Sequence, residues 1–419
     1  MKIPLIENLK FKIRNYFLNY PKTALFLTAL LIRVAAALII GPGSGEEDGA
    51  YVNLANKVIA GQPYAVEQER GGPLLSWLPP GFCVVLVASF RLFGESLEPL
   101  RWMQILLSAV SCIAMLDIGR RLFRSDLLGF FCGWAMAIYP ARVFWSTRVG
   151  SREIAFLLFV AALWLLARIT IKENSAARLK ENLGIFFVGL LWAFLSLTRG
   201  EFLTGILAIM GYFWINQQKP LLFTSLFLAG MALGFVPWVG RNWKIHHKIV
   251  ITSTNYGDNF WFSFNPKYRF TGHEVPLTPE LKKLVAGKTE IERAGILVQA
   301  GLDFIKNNPL RGLYIWTGNL IHFWRPYLSL DAVSISQNLI YMTGWLPLFT
   351  LFLLGLRRLP VMREPFWALI VGMIAIKWLG HSFFYVIVSF REAIVPLFIL
   401  VGANAVRNFQ NQWYLNESN

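Results

Sequence analysis

The chain has 419 residues, of which 55% are hydrophobic and only 15% charged, and its mean hydropathy is +0.49. Soluble domains carry roughly 25% charged residues, so this composition predicts that most of the protein surface does not face water. The net charge of +16 does not indicate a nucleic-acid-binding protein, because the basic residues lie in short clusters between apolar runs, as topology determinants do.

Ten apolar runs approach the roughly 20 residues that a membrane-spanning helix needs. They predict an all-α polytopic membrane protein with about ten transmembrane helices. Several runs are shorter than ideal, as expected of helices that lie deep in a bundle or flank a water-filled cavity. In chain order the runs are 23–40, 101–119, 127–139, 153–171, 183–197, 202–215, 221–239, 339–356, 366–379 and 394–406.

Basic clusters orient these helices, since lysine and arginine accumulate on the cytoplasmic side of a membrane. Counting crossings between the clusters leaves both termini inside. It also assigns two further apolar segments, 81–94 and 313–328, to the outer surface as interfacial helices. The predicted layout is a cytoplasmic basic N-terminus at 1–22, a transmembrane core at 23–240 with a first outer loop at about 41–100, a second large outer loop at 241–338, C-terminal transmembrane helices at 339–406 and a cytoplasmic tail at 407–419.

The first outer loop opens with an acidic triplet, Glu46, Glu47 and Asp48, at the start of a predicted helix at 49–61. Carboxylates there are favoured by the helix N-terminus, so N-capping alone is one explanation. The triplet also lies at the bilayer edge, where partial desolvation raises a carboxylate pKa and suits it to act as a base. Both explanations stay open from the residues themselves.

Other outer helix boundaries concentrate arginines, carboxylates and polar or aromatic residues. Each has a plainer explanation, such as snorkelling, an Arg199–Glu201 pair, a surface cation or ordinary turn chemistry. Their concentration on one face favours a membrane-edge cavity for an anionic, phosphate-bearing, lipid-linked substrate, because the arginine fork suits phosphate. The residues are Arg142, Arg148, Arg152, Glu153, Arg199, Glu201, Arg241, Asn242, Tyr256, Asn259, Asn265 and Arg391.

Five stretches of these outer segments resemble a known family. They are Glu47-Asp48-Gly-Ala-Tyr51 with Gly61; Pro79-Pro80-Gly81 through Gly94; Tyr139-Pro140 through Ser151-Arg152-Glu153; Pro237-Trp238 through Arg241-Asn242 to Asn265-Pro266; and Phe390-Arg391 with Pro396. Their order and spacing are similar to those of bacterial relatives of protein O-mannosyltransferases and aminoarabinose transferases, which are family 39-like glycosyltransferases of the GT-C fold.

The resemblance implies a GT-C-like bundle that transfers one sugar from a polyprenyl-phosphate-linked donor on the outer face. It implies that the general base lies among Glu46, Glu47 and Asp48, with Asp48 favoured and Glu47 close behind. Arg199, Arg241 and Arg391 match or lie near basic positions that hold the donor phosphate in the family, and Glu153 matches a recurrent acidic position. The remaining substrate-binding candidates are Tyr51, Arg148, Arg152, Asn242, Tyr256, Asn259 and Asn265.

No metal site is implied, since the first outer loop lacks a DxD motif and the three cysteines, in apolar segments, show no CxxC spacing. The expected partners are the lipid donor, the bilayer and an acceptor glycan, lipid or protein, and the expected location is a bacterial inner membrane with the site on the periplasmic or extracellular face. A polysaccharide polymerase or O-antigen ligase is the main alternative. A transporter is the second, although the internal repeats expected of one are not evident.

Overall fold

The structure is a computed structural model that describes residues 21–43, 46–67, 72–171, 178–216, 219–270, 275–328, 333–357, 359–360 and 364–417. For residues 46–48, 178 and 411–417 it describes the backbone alone. Within these ranges the chain is helical apart from turns and one isolated antiparallel bridge between Val66 and Leu74. The prediction of an all-α protein is confirmed.

The described helices follow one another closely along the chain. The α-helices are α1 Pro21–Ile40, α2 Glu46–Ile59, α3 Gly81–Phe93, α4 Glu98–Phe123, α5 Asp126–Ile138, α6 Pro140–Ser146, α7 Ser151–Thr170, α8 Arg178–Thr198, α9 Gly205–Asn216, α10 Pro220–His246, α11 Tyr256–Ser263, α12 Pro279–Val285, α13 Glu290–Asn307, α14 Pro309–His322, α15 Ile335–Leu356, α16 Phe366–Ser382, α17 Val388–Glu392 and α18 Val395–Glu417. A short 3₁₀ helix, Gly200–Thr204, joins α8 to α9.

All ten predicted apolar runs lie on helices. Among the described residues, six helices are long and apolar enough to cross a membrane, and a seventh results if the bent pair α5 and α6 forms one span. The two segments assigned to the outer surface are also helical, as α3 and α14. The number of helices that cross the bilayer therefore stays a prediction.

Small residues bring the helices of the bundle together. Gly189 in α8 faces the backbone at Phe227 in α10, and Gly230 in α10 faces the backbone at Phe186 in α8, so a Cβ atom at either glycine would meet main-chain atoms. Van der Waals contact between closely approaching backbones is the main attraction between helices in lipid. The glycine pair therefore fixes how tightly α8 and α10 pack.

A buried arginine in α1 shapes the bend between α5 and α6. The Arg33 guanidinium is fully buried and donates to Ser108 Oγ at 2.9 Å and to the carbonyls of Ala137 and Met136 at 3.2 and 3.4 Å. The last carbonyls of a helix have no partner within it, and Pro140 has no N–H to offer them. Arg33 thus satisfies the end of α5 where the chain turns by 58°.

Two compact groups of helices cover one end of the bundle, which we call the outer end. Helices α2 and α3 pack on each other around Tyr51 and Phe82, whose rings meet edge to face at 5.3 Å. Helices α11 to α14 form a second group with its own apolar core, centred on Leu297 and Ile315. Both predicted outer loops are therefore largely helical and folded onto the bundle.

Candidate active site

The acidic triplet begins α2. The helix starts at Glu46, so residues 46–48 occupy its first turn, and their side chains lie outside the described residues. The N-terminal end of α2 follows a segment held beside α7: Val149 N–H donates to the Gly43 carbonyl at 3.3 Å, and Arg148 donates to the Pro42 carbonyl at 3.1 Å. The assignment of a base to the triplet stays a prediction.

The Pro79-Pro80-Gly81 turn sets the first outer loop directly on the bundle. A Cβ atom at Gly81 would collide with Thr198 and the Leu197 backbone at the end of α8, so only glycine permits this approach. Tyr64 donates to the Leu78 and Pro79 carbonyls at 3.1 and 3.2 Å, and burial raises the pKa of its hydroxyl well above the ordinary value. The turn therefore contacts the end of α8 at Thr198, the residue that precedes Arg199.

The arginines at the start of α7 have separate environments. Arg148 is half-buried against the Pro42 carbonyl, and the Arg152 guanidinium lies 5.0 Å from the centre of the Trp145 ring. Glu153 is buried and pairs with Arg142 from α6, whose guanidinium also lies 3.5 Å above the Phe156 ring. A substrate-binding role for Glu153 stays a prediction, but its carboxylate already has a cationic partner.

A second buried charge group lies where α8, the 3₁₀ helix and α16 meet. Glu201 has its Oε1 atom 2.7 Å from Lys377 Nζ and 3.4 Å from Arg199 Nε. Its Oε2 atom is 3.8 Å from His381 Nε2. Burial raises the pKa of Glu201, but the facing charges of Arg199 and Lys377 lower it well below the ordinary value. We call the group of Arg199, Glu201, Lys377 and His381 the outer cation cluster, after the cations Arg199 and Lys377.

Arg241 and Asn242, at the end of α10, lie between the two outer loops. Arg241 donates to Ser76 Oγ at 3.2 Å, to Asn242 Oδ1 at 2.9 Å and to the Tyr64 carbonyl at 3.2 Å. Ser76 Oγ also donates to Asn242 Oδ1 at 2.8 Å, and the buried Asn242 amide donates to the Val250 carbonyl at 3.0 Å. These bonds join the first loop to the start of the second.

Two carboxylates complete this connection. Glu290 accepts hydrogen bonds from the backbone N–H groups of Leu75 and Ser76 and from Thr254 Oγ1. Asp258 accepts two hydrogen bonds from Arg293, at 2.5 and 2.6 Å, and one from Trp77 Nε1 at 3.1 Å. We call this set the loop junction; it comprises Ser76, Trp77, Arg241, Asn242, Thr254, Asp258, Glu290 and Arg293.

The second-loop candidates differ in exposure. Tyr256 is 44% exposed at the start of α11, and Asn259 is half-buried within that helix. Asn265 is buried, and its amide donates to the Trp261 and Phe262 carbonyls while its Oδ1 accepts from Lys267 N–H. Asn265 therefore closes the end of α11, whereas Tyr256 presents a ring to the outside.

Arg391 lies in α17, enclosed by protein. It donates to the carbonyls of Phe323 and Arg325 at 2.7 and 3.0 Å and to the Tyr341 hydroxyl. Its neighbour Glu392 accepts from Tyr341 and Tyr139 at 2.7 and 3.2 Å, and burial raises the pKa of that carboxyl. The three candidate phosphate ligands Arg199, Arg241 and Arg391 thus each have a different set of protein partners.

Sequence reasoning missed Lys377 and His381, which lie one helical turn apart on α16. Lys377 falls inside the apolar run 366–379, and a charged residue within such a run marks a functional position by default. Arg33, inside the run 23–40, carried the same signal. Among the described residues, no group of three or more His, Cys, Asp or Glu side chains could hold a metal ion; metal independence stays a prediction.

Comparisons with known proteins bear on the family and the fold. A family model described as dolichyl-phosphate-mannose-protein mannosyltransferase matches residues 78–240, which run from the Pro79-Pro80-Gly81 turn through Arg199. No protein of curated function matches the chain in sequence. The archaeal oligosaccharyltransferase AglB from Archaeoglobus fulgidus, in complex with an inhibitory peptide and a dolichol-phosphate, aligns with a TM-score of 0.57 and 14% identity over 96% of this chain and 52% of its own.

Two further solved structures are similar. The Archaeoglobus fulgidus oligosaccharyltransferase tethered to an acceptor peptide gives a TM-score of 0.54 with 12% identity over 96% of this chain and 51% of that one. ArnT from Cupriavidus metallidurans bound to undecaprenyl phosphate gives a TM-score of 0.43 with 15% identity over 92% of this chain and 77% of that one. The chain spans about half the length of the oligosaccharyltransferases that it matches. The likeness to them shows the fold: the chain is an integral multi-pass membrane protein with a GT-C fold.

Proposed function

We propose that the chain is a membrane glycosyltransferase that moves a single sugar from a polyprenyl-phosphate-linked donor to an acceptor glycan, lipid or protein. One observation carries this proposal. On the GT-C bundle, a loop that begins with Glu46-Glu47-Asp48 packs through Gly81 onto the end of α8, where the outer cation cluster begins. The candidate base and the candidate phosphate ligands therefore belong to two elements that pack on each other, the first outer loop and the end of α8.

The reaction follows from the needs of glycosyl transfer. Asp48 or Glu47 removes a proton from an acceptor hydroxyl or amine, and the acceptor oxygen or nitrogen attacks the anomeric carbon. The bond from that carbon to the phosphate oxygen breaks, and polyprenyl phosphate leaves with one more negative charge than it carried in the donor. Fixed cations close to the phosphate stabilise that charge as it develops, and enclosure beneath the outer loops suppresses hydrolysis by water.

The setting of the reaction is part of the proposal. In the predicted topology the loops lie on the periplasmic or extracellular face of a bacterial inner membrane. The lipid donor enters the site there from the bilayer, and the transfer reaction needs no metal ion. The family model and the AglB likeness support a glycosyltransferase over a polymerase, ligase or transporter. The family is that of dolichyl-phosphate-mannose-protein mannosyltransferases, and the AglB structure contains a dolichol-phosphate, which supports a polyprenyl-phosphate donor.

The direct test uses purified protein in lipid nanodiscs with polyprenyl phosphates that carry labelled hexoses or pentoses. Transfer of label to an envelope extract is measured for wild type, Asp48→Asn, Glu47→Gln and Glu46→Gln. Loss of the base lowers the rate by about 10²- to 10⁴-fold. The exposed Glu95 supplies the matched control, Glu95→Gln.

Two outcomes contradict different parts of the proposal. Full transfer by all three acidic variants would show that the base lies elsewhere. Absence of transfer from every sugar donor, by protein that remains folded, would refute the glycosyltransferase assignment itself.

A further inference from the structure

Helix α10 is longer than the apolar run that it contains. The run predicted to cross the bilayer ends at residue 239, but the helix continues to His246 and has 27 residues in all. It is therefore about 40 Å long, which is about 10 Å more than the hydrocarbon core of a bilayer. With the apolar run in that core, the last two turns of α10 lie at the level of the lipid headgroups.

The exposed face of α10 continues into these last turns. Its exposed residues recur every three or four positions, so they lie on one side of the helix. Leu233 and Val236 on this side belong to a helix that is long and apolar enough to cross a membrane, so their exposed side chains meet lipid. The same face therefore extends from the bilayer to the outer end of the helix. Its members are Leu221, Leu222, Ser225, Leu228, Ala229, Ala232, Leu233, Val236, Pro237, Gly240, Trp243 and Lys244.

After α10 the chain folds back along the end of the helix. Asn242 Nδ2 donates to the Val250 carbonyl at 3.0 Å, and Trp238 Nε1 donates to the Thr252 carbonyl at 2.7 Å. Trp238 precedes Asn242 in the helix, whereas its partner Thr252 follows Val250. The segment 248–252 therefore runs antiparallel to α10 and stays beside its last turns.

Large apolar side chains are exposed on both strands of this hairpin-like end. Trp243 and Ile245 in α10 are 53% and 36% exposed, and Ile249 and Ile251 in the returning segment are 69% and 40% exposed. Val250 between the two isoleucines is buried, as expected where side chains alternate along an extended chain. Exposed apolar residues grouped in this way mark an interaction surface. We call this surface the α10 tip; it comprises Trp243, Lys244, Ile245, Lys248, Ile249 and Ile251.

The charge of the α10 tip is positive. Lys244 and Lys248 are exposed, and the sequence from Arg241 to Gly257 contains no acidic residue. Glu292 lies near Lys248 but also near Lys288, so one carboxylate faces two lysines. A long outer loop is translocated largely regardless of its charge, so topology does not explain these lysines. Tryptophan at the headgroup level, with lysines that reach toward phosphate, is typical of a membrane–water interface.

A lipid surface fits the α10 tip better than a glycan or a second copy of the chain does. A glycan offers no apolar surface for Ile249 and Ile251. A symmetric contact between two copies would set the lysines of one tip against those of the other. A leaflet that contains anionic lipid supplies both apolar chains and phosphates, and it is already in contact with the same face of α10 further down the helix.

We propose that the α10 tip docks onto the lipid leaflet at the outer end of the bundle. Its apolar side chains lie among the headgroups and upper acyl chains, and Lys244 and Lys248 contact the phosphates of anionic lipids. The buried side of the same turns carries Asn242 of the loop junction, so docking fixes the height of that junction above the bilayer. The inference does not depend on the proposed function.

The experiment measures the depth of the tip with nitroxide spin labels on full-length protein in nanodiscs that contain anionic lipid. The label is attached at Ile249→Cys, and its collision rates with oxygen and with a water-soluble nickel chelate are compared. The three cysteines of the chain are buried, so the introduced cysteine takes the label. Leu233→Cys supplies the reference value within the bilayer, and Gln299→Cys, at an exposed position on α13, supplies the value in water.

We expect the ratio of oxygen to nickel collisions at Ile249→Cys to exceed that at Gln299→Cys several-fold and to stay below that at Leu233→Cys. Ile251→Cys lies on the same side of the extended segment and should give the same result, which guards against a local disturbance at either position. A ratio equal to that of Gln299→Cys would show that the tip lies in water and would overturn docking. Low collision rates with both reagents would show that protein covers the tip, and would overturn it as well.

The role of the lysines is tested through charge. Lys244→Gln combined with Lys248→Gln should lower the collision ratio at Ile249→Cys toward the value in water, and so should nanodiscs made of neutral lipid alone. Lys267→Gln combined with Lys306→Gln, at two exposed lysines elsewhere in the second outer loop, is the matched control and should leave the ratio unchanged. A ratio that responds neither to the loss of Lys244 and Lys248 nor to lipid charge would refute their contact with lipid phosphate. No sugar transfer enters these measurements, so they stand or fall separately from the proposed function.

Discussion

The loop junction and the outer cation cluster both hold charges at the outer end of the bundle, but they balance those charges differently. In the junction, Glu290 accepts from two backbone N–H groups and a threonine, and Asp258 is bridged by both arms of Arg293. In the cluster, Glu201 faces Arg199 and Lys377, and the His381 nitrogens lack hydrogen-bond partners among the described residues. The junction carboxylates accept hydrogen bonds from both outer loops, whereas the cluster is held mainly by ion pairs to the single carboxylate of Glu201 in the part of the chain that the structure describes.

This difference separates residues that look alike in sequence. Arg199 and Arg241 both stand at outer helix ends, and both were predicted to bind substrate. Their surroundings assign Arg241 to holding two loops together and place Arg199 in a buried ion-pair group with Glu201 and Lys377. Changes in the junction should therefore reduce stability, and changes in the cluster should alter ligand binding.

Arg293→Met should have the largest effect on stability. It leaves the buried Asp258 carboxylate without its cation, and breaking one side of a buried pair costs about 3–5 kcal/mol. The thermal unfolding midpoint in detergent should fall clearly, while Arg269→Met, at an exposed arginine of the same loop, should leave it unchanged. An unaltered midpoint for Arg293→Met would mean that the junction does not hold the loops.

Glu290→Gln should have the next largest effect. The amide keeps one acceptor oxygen but points an N–H₂ group toward N–H donors, so hydrogen bonds to a charged group worth about 1.5–3 kcal/mol are lost. Unfolding by heat or denaturant measures this loss, with exposed Glu280→Gln as the control. Polyprenyl-phosphate binding per folded molecule should stay the same. A loss of binding without a loss of stability would show that the loop junction takes part in ligand binding.

Gly81→Ala tests the approach of the first loop to the bundle. Its Cβ would collide with Thr198 and the backbone of Leu197, and overpacking of this kind costs about 1–3 kcal/mol. Transfer should fall as well, because the turn contacts Thr198, the residue that precedes Arg199. Gly295→Ala is the control, since open space surrounds that helical glycine. If Gly81→Ala were as stable as wild type, the turn would lie further from α8 than the structure shows.

The pH dependence of stability is the smallest expected effect. The pKa of Glu201 is lowered in the folded protein, so its contribution to stability is present above the ordinary value of 4.5 and is lost as pH falls below it. The difference in unfolding midpoint between wild type and Glu201→Gln should be constant from about pH 8 to pH 5 and shrink at lower pH. A difference that disappears between pH 8 and pH 6 would contradict the pairing of Glu201 with cations.

Much of the architecture could be predicted because it depends on local properties. The apolar runs indicated where helices lie, and the acidic triplet indicated the start of α2, which begins at Glu46. Gly41 follows α1 with a φ of +75°, a backbone conformation that glycine adopts without strain. Each of these features depends on residues that are close together in the sequence. The resemblance that implied a GT-C fold also rested on short stretches of sequence.

The candidate site could be predicted only in part. Sequence reasoning identified Arg199 and considered its pairing with Glu201. It could not find that Glu153 pairs with Arg142, that Arg391 is enclosed by carbonyls, or that Lys377 reaches Glu201. The partners in the last two cases lie far apart along the chain, so no local pattern connects them.

The sequence by itself determined that this protein is a helical membrane bundle with its chemically unusual residues concentrated in outer segments. Hydrophobicity and basic flanking residues act on each segment separately, so both properties can be recognised one segment at a time. Only the tertiary structure decided which charges are already satisfied. A charge is balanced or left available by groups within about 4 Å, and folding alone brought Lys377 and His381 of α16 to Glu201 beside α8.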